Sequence, residues 1–265
     1  MDVIRKALDV AQANMALGNE QFRAAGATFV RNRAHPLIYD ANYITGVEAS
    51  TPQEVERLLA RAEEEYSHTR HRRFCLDFRT HPAVAASLAL EGYVRDDALV
   101  MLLEGELRGG LPRPGDIRPA AMDEDWAAYG ELRMLDWQEH AARHGMTPAP
   151  EVGESLLAVA RAKQPPVQNW IAYVDGRAAA YFNSWAGIDG IGQVEDLFTH
   201  PDFRHRGVAT ALIHRCVADC RAKGAGPVVI VSDPADTPKQ MYAAMGFRPV
   251  GLVSNYMKRL ETPPA

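Results

Sequence analysis

From Asp123 onward, apolar positions alternate between helical and strand spacing. Asp123 can cap a helix that runs to about His140, with Trp126, Leu132 and Leu135 on its apolar face. A second helix follows from about Val152 to Ala162. Trp170 to Val174 reads as a strand, Asp175-Gly176 as a tight hairpin turn, and Ala178 to Trp185 as the returning strand. A third strand spans about Ile191 to Thr199. After Gly207, residues Val208, Leu212, Cys216 and Cys220 recur at i, i+4 spacing beside Ala209, Ile213 and Val217, which predicts a helix with a buried stripe. Val228 to Val231 reads as a buried strand, Pro238 to Ala244 as a short helix, and Phe247 to Lys258 as a closing strand pair. The pattern predicts an α/β layered domain of about 150 residues.

The first half repeats this pattern at an offset of 154 residues. Leu90-Glu91-Gly92-Tyr93 falls on Ala244-Met245-Gly246-Phe247, Phe74-Cys75-Leu76 on Val228-Val229-Ile230, Leu58-Leu59 on Leu212-Ile213, and Tyr43-Ile44-Thr45 on Leu197-Phe198-Thr199. Strand, helix, strand and turn stay in register, as in a degenerate duplicate. Arg108 to Asp116 holds two prolines and three glycines and suits an exposed linker. The expected organisation is a degenerate lobe over 1–107, a linker over 108–116 and a second lobe over 117–260, with a frayed tail at Thr262 to Ala265.

At 265 residues the chain is long for one domain, which agrees with two lobes. The net charge of −5 argues against nucleic acid or an anionic membrane as partner. Three cysteines fit a reducing compartment, with packing roles for Cys216 and Cys220. No run is long and apolar enough to span a membrane, and the charged start is unlike a signal peptide. A cytoplasmic protein, monomer or homodimer, is expected.

Candidate chemistry concentrates in Val194 to Ala209. There a strand ends, Pro201 stops it, and a basic turn with Gly207 opens a helix. The free N–H groups of a first helical turn and the helix dipole make an anion site. Gly207 lets backbone approach a phosphate, small Ala209 keeps side chains clear, and Arg204 and Arg206 add charge. These features suit a diphosphate-bearing ligand.

Arg204-x-x-Gly207-x-Ala209 resembles the coenzyme A loop of the GCN5-related N-acetyltransferase (GNAT) superfamily, and Tyr242-x-x-x-Gly246-Phe247 resembles that family's Tyr-x-x-x-Gly-Phe ending. The first half resembles the family only in framework. The resemblance implies two GNAT-like α/β lobes, each a mixed, mostly antiparallel sheet flanked by helices, the N-terminal one incomplete. It also implies acetyl-CoA as cosubstrate, no metal, and transfer of the acetyl group to the amine of a small molecule or peptide. The implied coenzyme A contacts are Leu197, Phe198 and Thr199 in the strand, Arg204, His205, Arg206, Gly207, Val208 and Ala209 in the loop, and Tyr242. Leu197 and Thr199 would offer backbone groups to the pantetheine arm where the sheet splays, and the loop would hold the diphosphate.

Within that resemblance Tyr242 is the general acid for the departing thiolate and Glu195 the general base for the amine. Strand alternation turns Glu195 and Asp196 to opposite faces, so only one would meet the substrate. Many family members carry Asn where this chain has Ala235, and Asp233 and Asp236 read as caps of the Pro238 helix. His140 and His144 read as a solvated helix end, and Arg70-His71-Arg72-Arg73 as a solvated loop. At the 154 offset Arg204, Gly207, Glu195 and Tyr242 fall on Ser50, Gln53, Ala41 and Leu88, so chemistry is expected in the second lobe alone. Two other readings stay open: a non-catalytic acyl-CoA-binding or regulatory protein, and a different nucleotide on the same helix start. The net charge leans toward a cationic small-molecule acceptor.

Overall fold

A computed structural model describes residues 2–110 and 115–260. The first half comprises α1 (Asp2–Ala16), β1 (Glu20–Ala24), β2 (Ala27–Arg31), β3 (Tyr43–Thr45), α2 (Pro52–Glu65), β4 (His71–Leu76), α3 (Pro82–Leu90) and β5 (Val94–Leu103). The second comprises β6 (Asp116–Pro119), α4 (Asp123–Arg143), α5 (Pro150–Ala162), β7 (Gln168–Val174), β8 (Arg177–Ile188), β9 (Ile191–Thr199), α6 (Val208–Ala222), β10 (Val228–Ser232), α7 (Pro238–Ala244) and β11 (Arg248–Arg259). Residues 111–114 of the expected linker, and 261–265 including the expected tail, lie outside the described residues; Asp116 already belongs to β6.

All eleven strands form one mixed sheet in the order β1-β2-β3-β4-β11-β5-β10-β9-β8-β7-β6. Only β3–β4 and β9–β10 pair in parallel; the other pairings among the described residues are antiparallel. The two halves exchange their last strands. β5 lies between β11 and β10, and β11 lies between β4 and β5. The closing strand pair expected over Phe247 to Lys258 is therefore one long strand, bulged between Pro249 and Gly251. Its partners come from the first half, so it has no need to fold back on itself.

The 154-residue repeat reappears in the hydrogen bonds. The Tyr93 and Phe247 amides donate to Leu88 and Tyr242, and the Gly92 and Gly246 amides donate to Ala89 and Ala243. Both glycines have positive φ, 81° and 105°, which ends each helix in the left-handed turn that glycine favours. The offset carries β5 onto β11 and α3 onto α7.

α6 buries Val208, Leu212, Ile213, Cys216, Val217 and Cys220 against β8, β9, β10 and the β5 residues Met101 and Leu103. The three cysteines are buried and free. On the opposite face α1 packs Leu8 and Val10 against Val100, Leu102, Val229 and Val253. α4 and α5 pack on Ile171, Tyr181 and Phe198. α1 of the first half thus lies on the strands of the second.

Two local expectations are corrected. The α4 N-cap is Met122, not Asp123; the carboxylate reaching back to the Met122 amide is that of Asp125, one turn in. The run from Arg70 is not a solvated loop. His71, Arg72 and Arg73 sit in β4 and are all at least nine-tenths buried. Burial is tolerated because partners arrive from elsewhere. Arg72 pairs with Glu63 at 2.7 Å and donates to the Tyr66 and His71 carbonyls. Arg73 pairs with Asp40, and His71 bonds the Asn42 carbonyl.

Candidate active site

β9 and β10 pair only from Gly192 to Val194, opposite Val228 to Ile230. Beyond Val194 the two parallel strands part, while Val231 and Ser232 stay paired to β5. The β10-facing edge of β9 from Glu195 to Thr199 is therefore left without ladder partners. At the same point β9 bulges. Tyr181 faces Phe198 but Asn183 faces Glu195, so β9 holds one residue more than β8. Asp196 takes φ 62°, a left-handed conformation that Asp tolerates better than most residues. The bulge overturns the expected alternation: Glu195 and Asp196 line the same cavity, while Leu197 turns to the α6 face.

That cavity, of about 180 Å³, lies between α1, α5 and the sheet. Its floor is the row Asn169, Asn183, Glu195 on adjacent strands. The first half contributes Asn14, Asp40 and Arg73, and β11 contributes Asn255. Glu195 accepts a hydrogen bond from Gln193. Burial, with the Asp196 carboxylate adding to it, pushes the Glu195 carboxyl up to about 8. Asp196 is 3.4 Å from Arg133, a buried cation that also donates to the Tyr181 hydroxyl at 3.0 Å. That hydroxyl donates in turn to Asp136 at 2.6 Å.

Tyr242 belongs to the core on the α6 face, beside Phe247. Among the described residues its hydroxyl has no hydrogen-bond partner. Burial, and then the carboxylates of Glu195 and Asp236, hold its pKa well above the ordinary phenol value. The phenol is therefore fully protonated at neutral pH, though a costlier proton donor than an unperturbed tyrosine. Glu195 is near enough for its carboxylate to act on the Tyr242 phenol.

The loop from Arg204 to Ala209 opens α6. Gly207 is the N-cap, with φ 78° and no side-chain cap, so the first-turn amides are left for another acceptor. His205 is also left-handed, at φ 59°. Arg204 is already engaged: it donates to the Thr199 carbonyl at 3.0 Å and to both oxygens of Glu139 at 2.7 Å, tying the loop to α4. Arg206 is half exposed and lies 3.7 Å from Asp175. Val208 is buried; the Phe198 side chain points into the α4 core, which leaves its backbone for a ligand.

Asp233 and Asp236 do not cap α7. The N-cap, Thr237, has helical dihedrals instead of the extended ones a cap needs. Asp233 accepts from the Ala235 amide at 2.6 Å and Asp236 from the Thr237 amide at 2.7 Å, shaping the loop, and Asp236 also pairs with Arg143. The His140 and His144 rings lie tilted by 33° with centroids 4.3 Å apart; among the described residues no cluster of three metal-ligating side chains occurs.

Sequence reasoning missed the cavity's other polar residues: Asn14, Asp40, Arg73, Arg133, Lys163 and Asn183. They come from six separate stretches and form no motif. The only local signal was charge in an apolar setting, as in Arg73 beside Phe74-Cys75-Leu76.

Residues 120–247 match the family model described as the acetyltransferase (GNAT) family. That stretch, just under half of the chain, belongs to the GNAT superfamily. Membership indicates an acyltransferase. The fold is similar to that of a GCN5-related N-acetyltransferase from Kribbella flavida, at 17% identity over 96% of this chain and 94% of that one, with a TM-score of 0.65. A functionally unknown conserved protein from Staphylococcus epidermidis has the same TM-score at 13% identity, over 92% of this chain and 95% of that one. A tandem GNAT protein from the clavulanic acid biosynthesis pathway superposes with a TM-score of 0.58 at 14% identity, over 84% of this chain and 76% of that one. No curated protein matches the sequence. No helix among the described residues is long and apolar enough to cross a membrane.

Proposed function

We propose that the chain is an acetyl-CoA-dependent N-acetyltransferase acting by direct transfer to an amine. The observation that carries this reading is Glu195: a carboxyl with a pKa near 8, on the floor of a polar cavity, where β9 leaves β10. A general base works best with a pKa near the working pH. Coenzyme A would lie along the free edge of β9, through the backbone of Leu197, Phe198 and Thr199, with its diphosphate on the amides at Gly207, Val208 and Ala209. Arg206 would add charge there, and Arg204 would hold the loop against α4.

The acceptor amine would enter from the cavity side and give a proton to Glu195. Its nitrogen would attack the thioester carbonyl, whose oxygen, as it becomes an oxyanion, would be met by backbone N–H groups of the splayed strand. The C–N bond forms, the nitrogen sheds its remaining excess proton to solvent, the C–S bond breaks, and the thiolate takes the Tyr242 proton, which solvent restores.

Thiol release from acetyl-CoA, followed against a panel of small amines and peptides, tests the reading. Release that depends on an amine, with the acetylated amine found by mass spectrometry, is expected. Tight coenzyme A binding with no release across the panel would instead indicate a non-catalytic acyl-CoA-binding protein.

A further inference from the structure

We infer that the acceptor is an amino-carboxylate, a compact molecule carrying an anionic group a few ångströms from its reacting amine. The inference deepens the acetyltransferase reading and rests on it. It comes from the hydrogen-bonding capacity left over around the cavity.

One end of the cavity has donors without acceptors. Lys163, at the end of α5, has no carboxylate partner among the described residues and donates to Asn14 Oδ1 at 3.2 Å. A lysine ammonium can only donate, so the Asn14 amide must turn its oxygen to Lys163. Its Nδ2 is then left with no acceptor, although Asn14 is only 1% exposed. Asn169, equally buried, spends its oxygen on the Tyr129 hydroxyl and also leaves Nδ2 unpaired. Arg73 and Arg133, the other cations of the cavity, are taken up by Asp40 and Asp196. Those pairs leave Arg73 Nε and Arg133 Nε without acceptors; the cavity's other spare donors belong to Lys163, Asn14 and Asn169.

The other end has acceptors without donors. Asn183 points Nδ2 at Asp196, and a carboxylate can only accept. Its Oδ1 is therefore turned away from Asp196 and has no donor, beside the Glu195 carboxyl. A buried polar group without a partner is costly, so a cavity where Asn14 and Asn169 keep spare donors and Asn183 keeps a spare acceptor is shaped for a ligand of opposite pattern. An ammonium or amine would meet Asn183 and Glu195, and a carboxylate would meet Lys163, Asn14 and Asn169.

Size agrees. Asn169 and Glu195 lie two strand spacings apart, about 10 Å. Hydrogen bonds of about 3 Å at each end leave roughly 4 Å between anionic oxygen and amine nitrogen, the separation in an α- or β-amino acid. The cavity volume of about 180 Å³ also falls below the roughly 300–1,000 Å³ of drug-sized pockets. The chain's net negative charge, which leaned toward a cationic acceptor, does not describe this pocket.

The test compares free amino acids, β-alanine and 4-aminobutyrate with their carboxamides, using the full chain. Turnover is measured with acetyl-CoA, and binding separately by calorimetry with coenzyme A present. We expect at least one carboxylate to be acetylated with kcat/KM at least tenfold above its carboxamide. Lys163→Met should raise KM for the carboxylate at least tenfold more than for the carboxamide, and Lys163→Arg should restore most of that loss; any change in kcat from losing the Lys163 charge near Glu195 should fall on both substrates alike. If Lys163→Met does not fold, Lys163→Arg and Asn14→Leu carry the same comparison. Equal use of carboxylate and carboxamide, or a KM indifferent to position 163, would overturn the inference and leave the acetyltransferase reading standing. Carboxylates that bind through Lys163 but are never acetylated would do the reverse.

Discussion

Replacing Glu195 by Gln separates the chemical use of this carboxyl from its structural cost. An unfolded glutamate loses its proton near 4.5, whereas the native one keeps it to about 8. Between those values the native state holds the extra proton, so stability falls as pH rises, and the loss is complete above about 8. A difference of about 3.5 units at 1.36 kcal/mol per unit sets the ceiling at about 5 kcal/mol. Gln has nearly the same shape and does not titrate. Urea melts should therefore show wild type and Glu195→Gln nearly equal at pH 5, with the variant more stable at pH 9 by up to about 5 kcal/mol. In parallel, turnover should fall about 10²- to 10⁴-fold, and the low-pH limb of kcat/KM with its inflection near 8 should vanish. A stability difference that is the same at pH 5 and pH 9 would refute the raised pKa. The alkaline gain without any loss of turnover would remove Glu195 from the chemistry.

Gly207→Val places a β-branched residue at φ 78°, a strain of about 1–3 kcal/mol, and puts bulk over the first-turn amides. Calorimetry should show coenzyme A affinity at least tenfold weaker in a chain that is still folded by circular dichroism. Tyr242→Phe should lower kcat about tenfold to a hundredfold with coenzyme A affinity nearly unchanged, because the phenol acts in the transition state and water can partly replace it. Wild-type turnover in that variant, with chemistry rate-limiting, would exclude the tyrosine.

Periodicity made the separate elements legible. Pro238 to Ala244 has the expected bounds, Tyr43 to Thr45 is a strand as its match to Leu197 to Thr199 implies, and the glycine-aromatic turns repeat at the expected offset. Partnership was not legible. The apolar run from Ala98 to Leu103 says that both faces are covered but not that its neighbours are β10 and β11, because alternation encodes a face and not a partner. Arg72 and Arg73 misled for a related reason: the carboxylates that offset their burial, Glu63 and Asp40, and the Asn255 amide lie outside the run itself. The bulge at Asp196 hid because one inserted residue leaves no mark in composition, although it brings both carboxylates to one cavity. Strand exchange also gives the first half a place in the architecture of the second. It supplies β5 to the second half's sheet, and Asn14, Asp40 and Arg73 to the cavity.

The chain should bind one coenzyme A, and the two helix starts related by the repeat explain why. α6 begins at a left-handed glycine with no side chain over its amides. α2 begins at Thr51 in a capping box: Thr51 Oγ1 accepts from the Glu54 amide at 3.3 Å, and Glu54 Oε2 accepts from the Ser50 and Thr51 amides at 2.9 and 3.1 Å. Those bonds draw the Glu54 pKa down to about 2, so the carboxylate is charged at any working pH. A diphosphate approaching α2 would have to displace an anion already seated at the helix start and would be repelled by it; at α6 it would meet free amides. Titration calorimetry and native mass spectrometry should both give one coenzyme A per chain, lost in Gly207→Val. A second equivalent retained in that variant would place a site in the first half and refute the argument from its cap.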